Sequence, residues 1–209
     1  MQITGPSKQS GFLVSIFAVW LLTPIAYADL QADLETCDSC HGDGGVSMES
    51  DVPSIAGMSA FVIEEYMFEY QDAARPCHES KYRSGDTERP ATDMCAIAKE
   101  LSEDQILEIA EHYGSKSFVP AKQEFDAALA ANGAGIHKRE CEKCHSDGGS
   151  YADDDAGMLA GQWMPYLEQV FAEYATGERN MMEDKMKDKV DALDAESITA
   201  LLHYYASLQ

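Results

Sequence analysis

The chain has 209 residues, with 15 Lys and Arg against 37 Asp and Glu and a formal net charge of −22 at pH 7. That charge repels phosphate backbones and excludes nucleic acid as a partner; it suits either attraction of a basic protein or plain solubility. The length allows two small domains, each needing more than its own apolar core for stability.

Residues 1–28 read as a secretory signal peptide: Lys8 gives a positive start, Gly11 to Leu22 an apolar stretch, and Ala26-Tyr27-Ala28 a small-x-small cleavage site. The mature chain then starts at Asp29 and is periplasmic, with 14 basic and 37 acidic residues, a charge of 14 − 37 = −23. An uncleaved anchor is the lesser reading, and no later segment is apolar enough to cross a bilayer. Export also puts the chain where disulfides form.

Leu30 to Thr36 reads as a short helix leading into Cys37-Asp38-Ser39-Cys40-His41-Gly42-Asp43-Gly44-Gly45, a string that returns 104 positions later as Cys141-Glu142-Lys143-Cys144-His145-Ser146-Asp147-Gly148-Gly149. Cys-x-x-Cys-His is the spacing of covalent haem c attachment: two thiols add to two vinyl groups along one porphyrin edge while the next residue presents imidazole to iron. Zinc knuckles set their second Cys pair much nearer. A thiol–disulfide motif sits in a βαβ context, whereas this one is duplicated, always followed by His, and embedded in helical sequence. Cys37, Cys40, Cys141 and Cys144 are therefore the attachment residues of two covalent haem c groups, and His41 and His145 the first axial ligands.

The offset of 104 persists beyond the motifs, with Ile55-Ala56-Gly57 on Leu159-Ala160-Gly161, Tyr70 on Tyr174 and Arg75 on Arg179. It then falls to 92, pairing Leu101–Tyr113 with Leu193–Tyr205, so the first half carries 12 extra residues between Arg75 and Met94. Phe61–Gln71 and Pro165–Tyr174 read as helices entered from the Ala-Gly turns. The terminal segment of each half is amphipathic, with Ile106, Ile109, Ala110 and Tyr113 matched by Ile198, Leu201, Leu202 and Tyr205 at i, i+3, i+4, i+7. Ser102-Glu103-Asp104-Gln105 reads as a capping box and Asp194 as the second cap. Gly114-Ser115-Lys116-Ser117 breaks the first half, and Pro120 is expected to open a helix over Ala121–Ala131. The domains are thus 29–116 and 117–209 in an all-α chain without strand alternation. Asp153-Asp154-Asp155 lacks calcium-loop spacing and reads as a solvated loop.

An iron that only transfers electrons usually takes a second protein ligand, and a thioether favours Fe(II). Of ten methionines the repeat selects two: Met94 and Met186 each lie seven residues before the equivalent Leu101 and Leu193. Met181 or Met182 is the alternative in the second half. An open or bis-histidine site also stays open, with His78, His112, His137 and His203 as spare histidines that suit surface or packing roles better. Cys77 and Cys95 remain after the haem thiols are assigned and read as a disulfide. Closing residues 78–94 into a loop stabilises by about 3 kcal/mol and holds Met94 near iron; the competing reading is two unrelated buried thiols.

Pro120-Ala121-Lys122-Gln123, Cys141-Glu142-Lys143-Cys144-His145, Leu159-Ala160-Gly161-Gln162-Trp163-Met164-Pro165-Tyr166-Leu167 and Asp184-Lys185-Met186 resemble the dihaem cytochrome subunit of flavocytochrome c sulfide dehydrogenase. The resemblance spans both domains, is closest from Pro120 to Met186, and extends more generally to two-domain dihaem class I cytochromes c, each domain wrapped around a covalent haem c. It implies His and Met axial ligands, mapping onto His41 with Met94 and His145 with Met186. It also implies a flavoprotein partner that holds FAD and oxidises sulfide, with electrons leaving to a soluble cytochrome c or similar acceptor. Two departures limit the match. The Cys77–Pro90 region is long and could face the flavin subunit, and Gly157 stands where the first half has Pro53, whose carbonyl in such cytochromes often receives the ligand histidine. The other readings are a free-standing dihaem carrier for a terminal oxidase or another dehydrogenase, and a haem enzyme acting on thiosulfate, which the repeated methionines disfavour. No nucleotide-binding, phosphate-loop or nucleophile-elbow motif occurs in the chain.

Overall fold

The computed structural model describes residues 1–2, 25–179 and 184–209. The apolar stretch of the signal reading, Met181 and Met182 lie outside the described residues. Nine helices occur among them: α1 (Ile25–His41), α2 (Ala60–Gln71), α3 (Met94–Lys99), α4 (Glu103–Gly114), α5 (Ala127–Glu140), the single turn α6 (Ser146–Gly149), α7 (Met164–Thr176), α8 (Asp184–Asp191) and α9 (Ala195–Ser207). Extended pairing among the described residues is one bridge, Ser80 with Thr92. Among the described residues no helix is long and apolar enough to cross a membrane.

The sequence repeat is a structural repeat. α2 corresponds to α7 and α4 to α9, each α4-type helix burying the stripe read from its periodicity: Ile106, Ile109, Ala110 and Tyr113 in one half, Leu201, Leu202 and Tyr205 in the other. Both caps form. The Ser102 side chain accepts from Gln105 N while Gln105 answers the Ser102 backbone, and Asp194 accepts from Ser197 N. Matching turns hold each motif to its core: Gly45 O accepts from Ile55 N and Ala56 N, as Gly149 O does from Leu159 N and Ala160 N. The Gly57 and Gly161 amides each donate to the equivalent tyrosine carbonyl, Tyr113 O and Tyr205 O, both at 2.9 Å. At Gly57 (φ 73°) and Gly161 (φ 68°) the left-handed backbone that aims those amides requires glycine.

The segment after Pro120 departs from expectation. No helix covers Ala121–Ala131; α5 starts at Ala127, capped by Asp126, whose carboxylate accepts from Ala128 N and Leu129 N, and runs on to Glu140. Residues 121–123 instead form a strap: Ala121 N donates to Gly161 O, Gln123 Nε2 to Gln162 O, and Met164 N to Gln123 Oε1. These external partners outcompete a helical turn for the same backbone groups. α5 then crosses α9 so closely that a Cβ at Gly133 would stand 2.0 Å from Ala200 O.

The two cores meet along a polar seam. Met158 from the second half is buried in the first half's cluster. Gln162, 1% exposed, bonds both to Ser54 N (3.1 Å) and to Ser54 O (2.6 Å). Trp163 Nε1 donates to Ser47 O, Tyr166 N to Ser50 O, and Ser59 to Asp155.

Candidate haem sites

α1 carries the first motif entirely in helix, so Cys37, Cys40 and His41 lie along one helical edge. They line a cavity of about 290 Å³ together with Met94, Ile63, Met67, Ile97 and Ile109. His41 Nδ1–H donates to Pro53 O at 2.9 Å, which fixes the tautomer that leaves Nε2 free for a metal. Burial depresses the His41 pKa, the state a ligand imidazole needs. Burial also pushes the Cys37 thiol up to about 12 and raises Cys40 and Cys141. None of the four motif cysteines is joined in a disulfide. Burial that raises the Cys37, Cys40 and Cys141 thiols makes those three poor partners in thiol–disulfide exchange.

Cys77 and Cys95 are joined as a disulfide with Cα atoms 5.7 Å apart. The bridge ties the start of the insertion to α3, whose first residue is Met94 and whose cap, Asp93, accepts from Ala96 N. The insertion also turns inward at its start. His78 Nε2 lies 2.8 Å from Glu173 Oε1 across the seam, and Glu173 is held by Arg179 Nε at 2.7 Å.

The second motif is built differently. α5 ends at Glu140, and Cys141–His145 runs in turns stabilised by Cys144 N and His145 N donating to Cys141 O. His137, 1% exposed, braces it, with Nε2 3.0 Å from His145 O and Nδ1 3.0 Å from Tyr205 Oη. A carbonyl only accepts, so Nε2 carries a proton, and Glu142 Oε2 lies 2.9 Å from the same nitrogen. The acidic run is not simply solvated. Asp154 accepts from Ser146 N (2.6 Å) and Ser146 Oγ, closing the loop after His145. Met186 lies half-buried on α8, which Lys189 fastens to Glu140, the residue before Cys141, at 2.7 Å. His203 Nδ1 accepts from Asp126 N, and His112 stacks edge-on against Tyr113.

A group missed by motif reasoning sits where the halves meet. Arg75 and Arg179 are 3% and 6% exposed, and both line the cavity with Tyr66, Tyr70, Tyr166 and Glu173. The Arg75 guanidinium stacks 3.5 Å over the Tyr66 ring, yet its Nε and Nη1 make no hydrogen bond. Glu69 is 3.5 Å from Nη1. Buried guanidinium donors facing a cavity call for anionic acceptors, and porphyrin carboxylates supply them. Paired thiols, a Nδ1-anchored imidazole, an apolar cavity and orphaned arginine donors together fit a covalently held haem. The signal for this cluster was in the repeat: Glu69 and Glu173, like the two arginines, stand 104 apart.

No family model matches the chain. Two cytochromes c4 share its architecture: that of Acidithiobacillus ferrooxidans (TM-score 0.66, 22% identity, 83% of this chain and 99% of that one) and that of Pseudomonas stutzeri (TM-score 0.69, 22% identity, 87% and 98%). The fold is that of the two-domain cytochromes c. The two Cys-x-x-Cys-His motifs stand in its two halves, so the cofactor complement is two covalent haem c groups. A thiosulfate dehydrogenase from Marichromatium purpuratum also aligns (TM-score 0.62, 23% identity, 82% of this chain and 36% of that one). In sequence, the chain is 24% identical over 186 residues to the "Thiosulfate dehydrogenase electron acceptor" of Thiomonas intermedia (strain K12), covering 84% of this chain and 79% of that protein.

Proposed function

We propose that this chain is an exported dihaem electron carrier, periplasmic in bacteria, that takes electrons from a dehydrogenase oxidising an inorganic sulfur anion and hands them to a soluble cytochrome or similar acceptor. The observation that carries the reading is the doubled attachment motif within one cytochrome fold, with the Arg75–Tyr66 stack on the seam between the halves. When bound, each haem iron supplies reversible one-electron chemistry.

The residues proposed as ligands are His41 with Met94 and His145 with Met186, in domains 29–116 and 117–209. In the first half Pro53 orients the imidazole, and α3, tied through the Cys77–Cys95 bond, keeps Met94 on the cavity wall. Arg75 and Arg179, buried on the cavity wall, would hold porphyrin carboxylates and offset their charge. The apolar wall of Ile63, Met67 and Ile109 limits water, which lowers reorganisation on electron transfer.

Thiosulfate is the favoured substrate of the partner, because the sequence relative named as a thiosulfate dehydrogenase electron acceptor aligns over most of both chains. The narrower reading, subunit of a sulfide dehydrogenase with FAD on the partner, is supported by the strings between Pro120 and Met186. Oxidised holoprotein added to periplasmic extract of its host, with thiosulfate or sulfide and enzyme-free controls, separates them. Thiosulfate-dependent growth of the reduced haem band supports the first; reduction only by sulfide through a co-purifying flavoprotein supports the second.

A further inference from the structure

The two halves differ in what lies over their motif cysteines. Residues 76–93, eighteen in all, separate Arg75 from Met94, whereas residues 180–185, six in all, separate Arg179 from Met186. The long segment of the first half is closed at its neck by the Cys77–Cys95 bridge and by the Ser80–Thr92 pair, whose backbones exchange hydrogen bonds of 2.7 and 2.9 Å. Beyond the neck it folds back over the first motif. Arg83 N and Ser84 N donate to Ser39 O at 2.7 and 3.1 Å, and Arg83 Nη2 donates to Asp51 at 2.7 Å. Lys81 O stands 3.8 Å from Cys40 Sγ.

The same segment is a wall of the cavity. His78, Ser80, Tyr82 and Thr92 all line it, and the Arg89 guanidinium stacks 3.5 Å over the Tyr82 ring. Cys40 is half-buried beneath this layer, whereas Cys144, its equivalent 104 positions on, is exposed. Each of these cysteines carries one porphyrin edge of its own haem. One edge is therefore covered by polypeptide where the other meets solvent.

We propose that residues 78–92 are a fixed roof over the porphyrin edge at Cys40, and that the chain exchanges electrons with outside partners at the edge carried by Cys144, the first haem being filled and emptied by way of the second. Electron tunnelling weakens exponentially with the thickness of matter between donor and acceptor, so a layer of chain over one edge hands the exchange to the other. The roof keeps its place because its backbone is bonded to Ser39 and its neck is closed covalently. This rests on the dihaem reading above.

The test uses reduced holoprotein shown beforehand to hold two haems per chain; a preparation that does not hold them counts against the dihaem reading itself. A neutral gadolinium chelate, added to protein whose thioether protons have been assigned to their cysteines, should abolish the proton signals at Cys144 and leave those at Cys40. Equal loss at both overturns the proposal, and this result decides even where a variant fails to load. Deleting residues 80–91, twelve in all, gives the first half the spacing of the second and keeps Cys77 and Cys95. In that chain, fully loaded, the Cys40 signals should be lost as well. Its oxidised form should also be reduced faster by neutral riboflavin semiquinone, which gives one electron to Fe(III) and releases its proton to water, with the second-order rate rising toward double as a second edge opens. Cys40 signals that stay protected, or an unchanged rate, overturn the roof.

Discussion

Gln162 bonds to both backbone groups of Ser54, receiving its N–H and donating to its C=O, across the boundary between the two repeats. Replacing it with Leu leaves two buried backbone groups unpaired, a loss of roughly 2–5 kcal/mol. Denaturant unfolding of Gln162→Leu holoprotein, followed separately at the haem bands and by circular dichroism, should show the halves melting apart rather than together. A single transition at the wild-type midpoint would remove Gln162 from the seam.

The Cys77–Cys95 bridge closes a loop over 18 positions. Cys77→Ser/Cys95→Ser should lose about 3 kcal/mol of stability and loosen Met94, which weakens the red-region absorbance that marks methionine ligation. Alkylation of native protein without reductant should label neither thiol.

Arg75 has two buried nitrogens that make no hydrogen bond, Nε and Nη1, the latter 3.5 Å from the Glu69 carboxylate. Arg75→Gln should cost about 2 kcal/mol in the holoprotein and lower at least one midpoint potential, since a cation near iron favours the reduced state; Arg75→Lys should recover part of the shift. Spectroelectrochemistry reads both.

Asp126 and Asp194 cap α5 and α9, and the backbone and side-chain hydrogen bonds they accept hold both carboxyls below the usual aspartate range. A folded pKa below the unfolded one means that their contribution is complete above the ordinary value of 3.8 and is lost as pH falls through the depressed folded values. Helix content should therefore hold down to about pH 4 and fall below it, with Asp126→Asn and Asp194→Asn shrinking that dependence.

Much of this arrangement was legible in the chain. Periodicity set α4 and α9 to within two residues, because their buried stripes and Ser/Asp caps are local signals. The start of α5 was misplaced because Ala121–Gln123 finds partners at Gly161, Gln162 and Met164, far away in sequence. The string Leu159–Leu167, quoted above for its resemblance, proves to be the seam itself: Gln162, Trp163 and Tyr166 all bond into the other half. The unlike settings of His41 and His145 could be suspected from Pro53 against Gly157. The packing of Tyr66 Oη against Gly157 could not, since nothing local marks a side chain that reaches another domain.

The account stands or falls on two haems joined covalently to one polypeptide. Intact-protein mass spectrometry of the denatured mature chain, with a pyridine haemochrome assay on the same sample, should give the polypeptide from Asp29 plus two haem masses and two haems per chain. A colourless chain of unmodified mass, isolated from the host's periplasm, would contradict it.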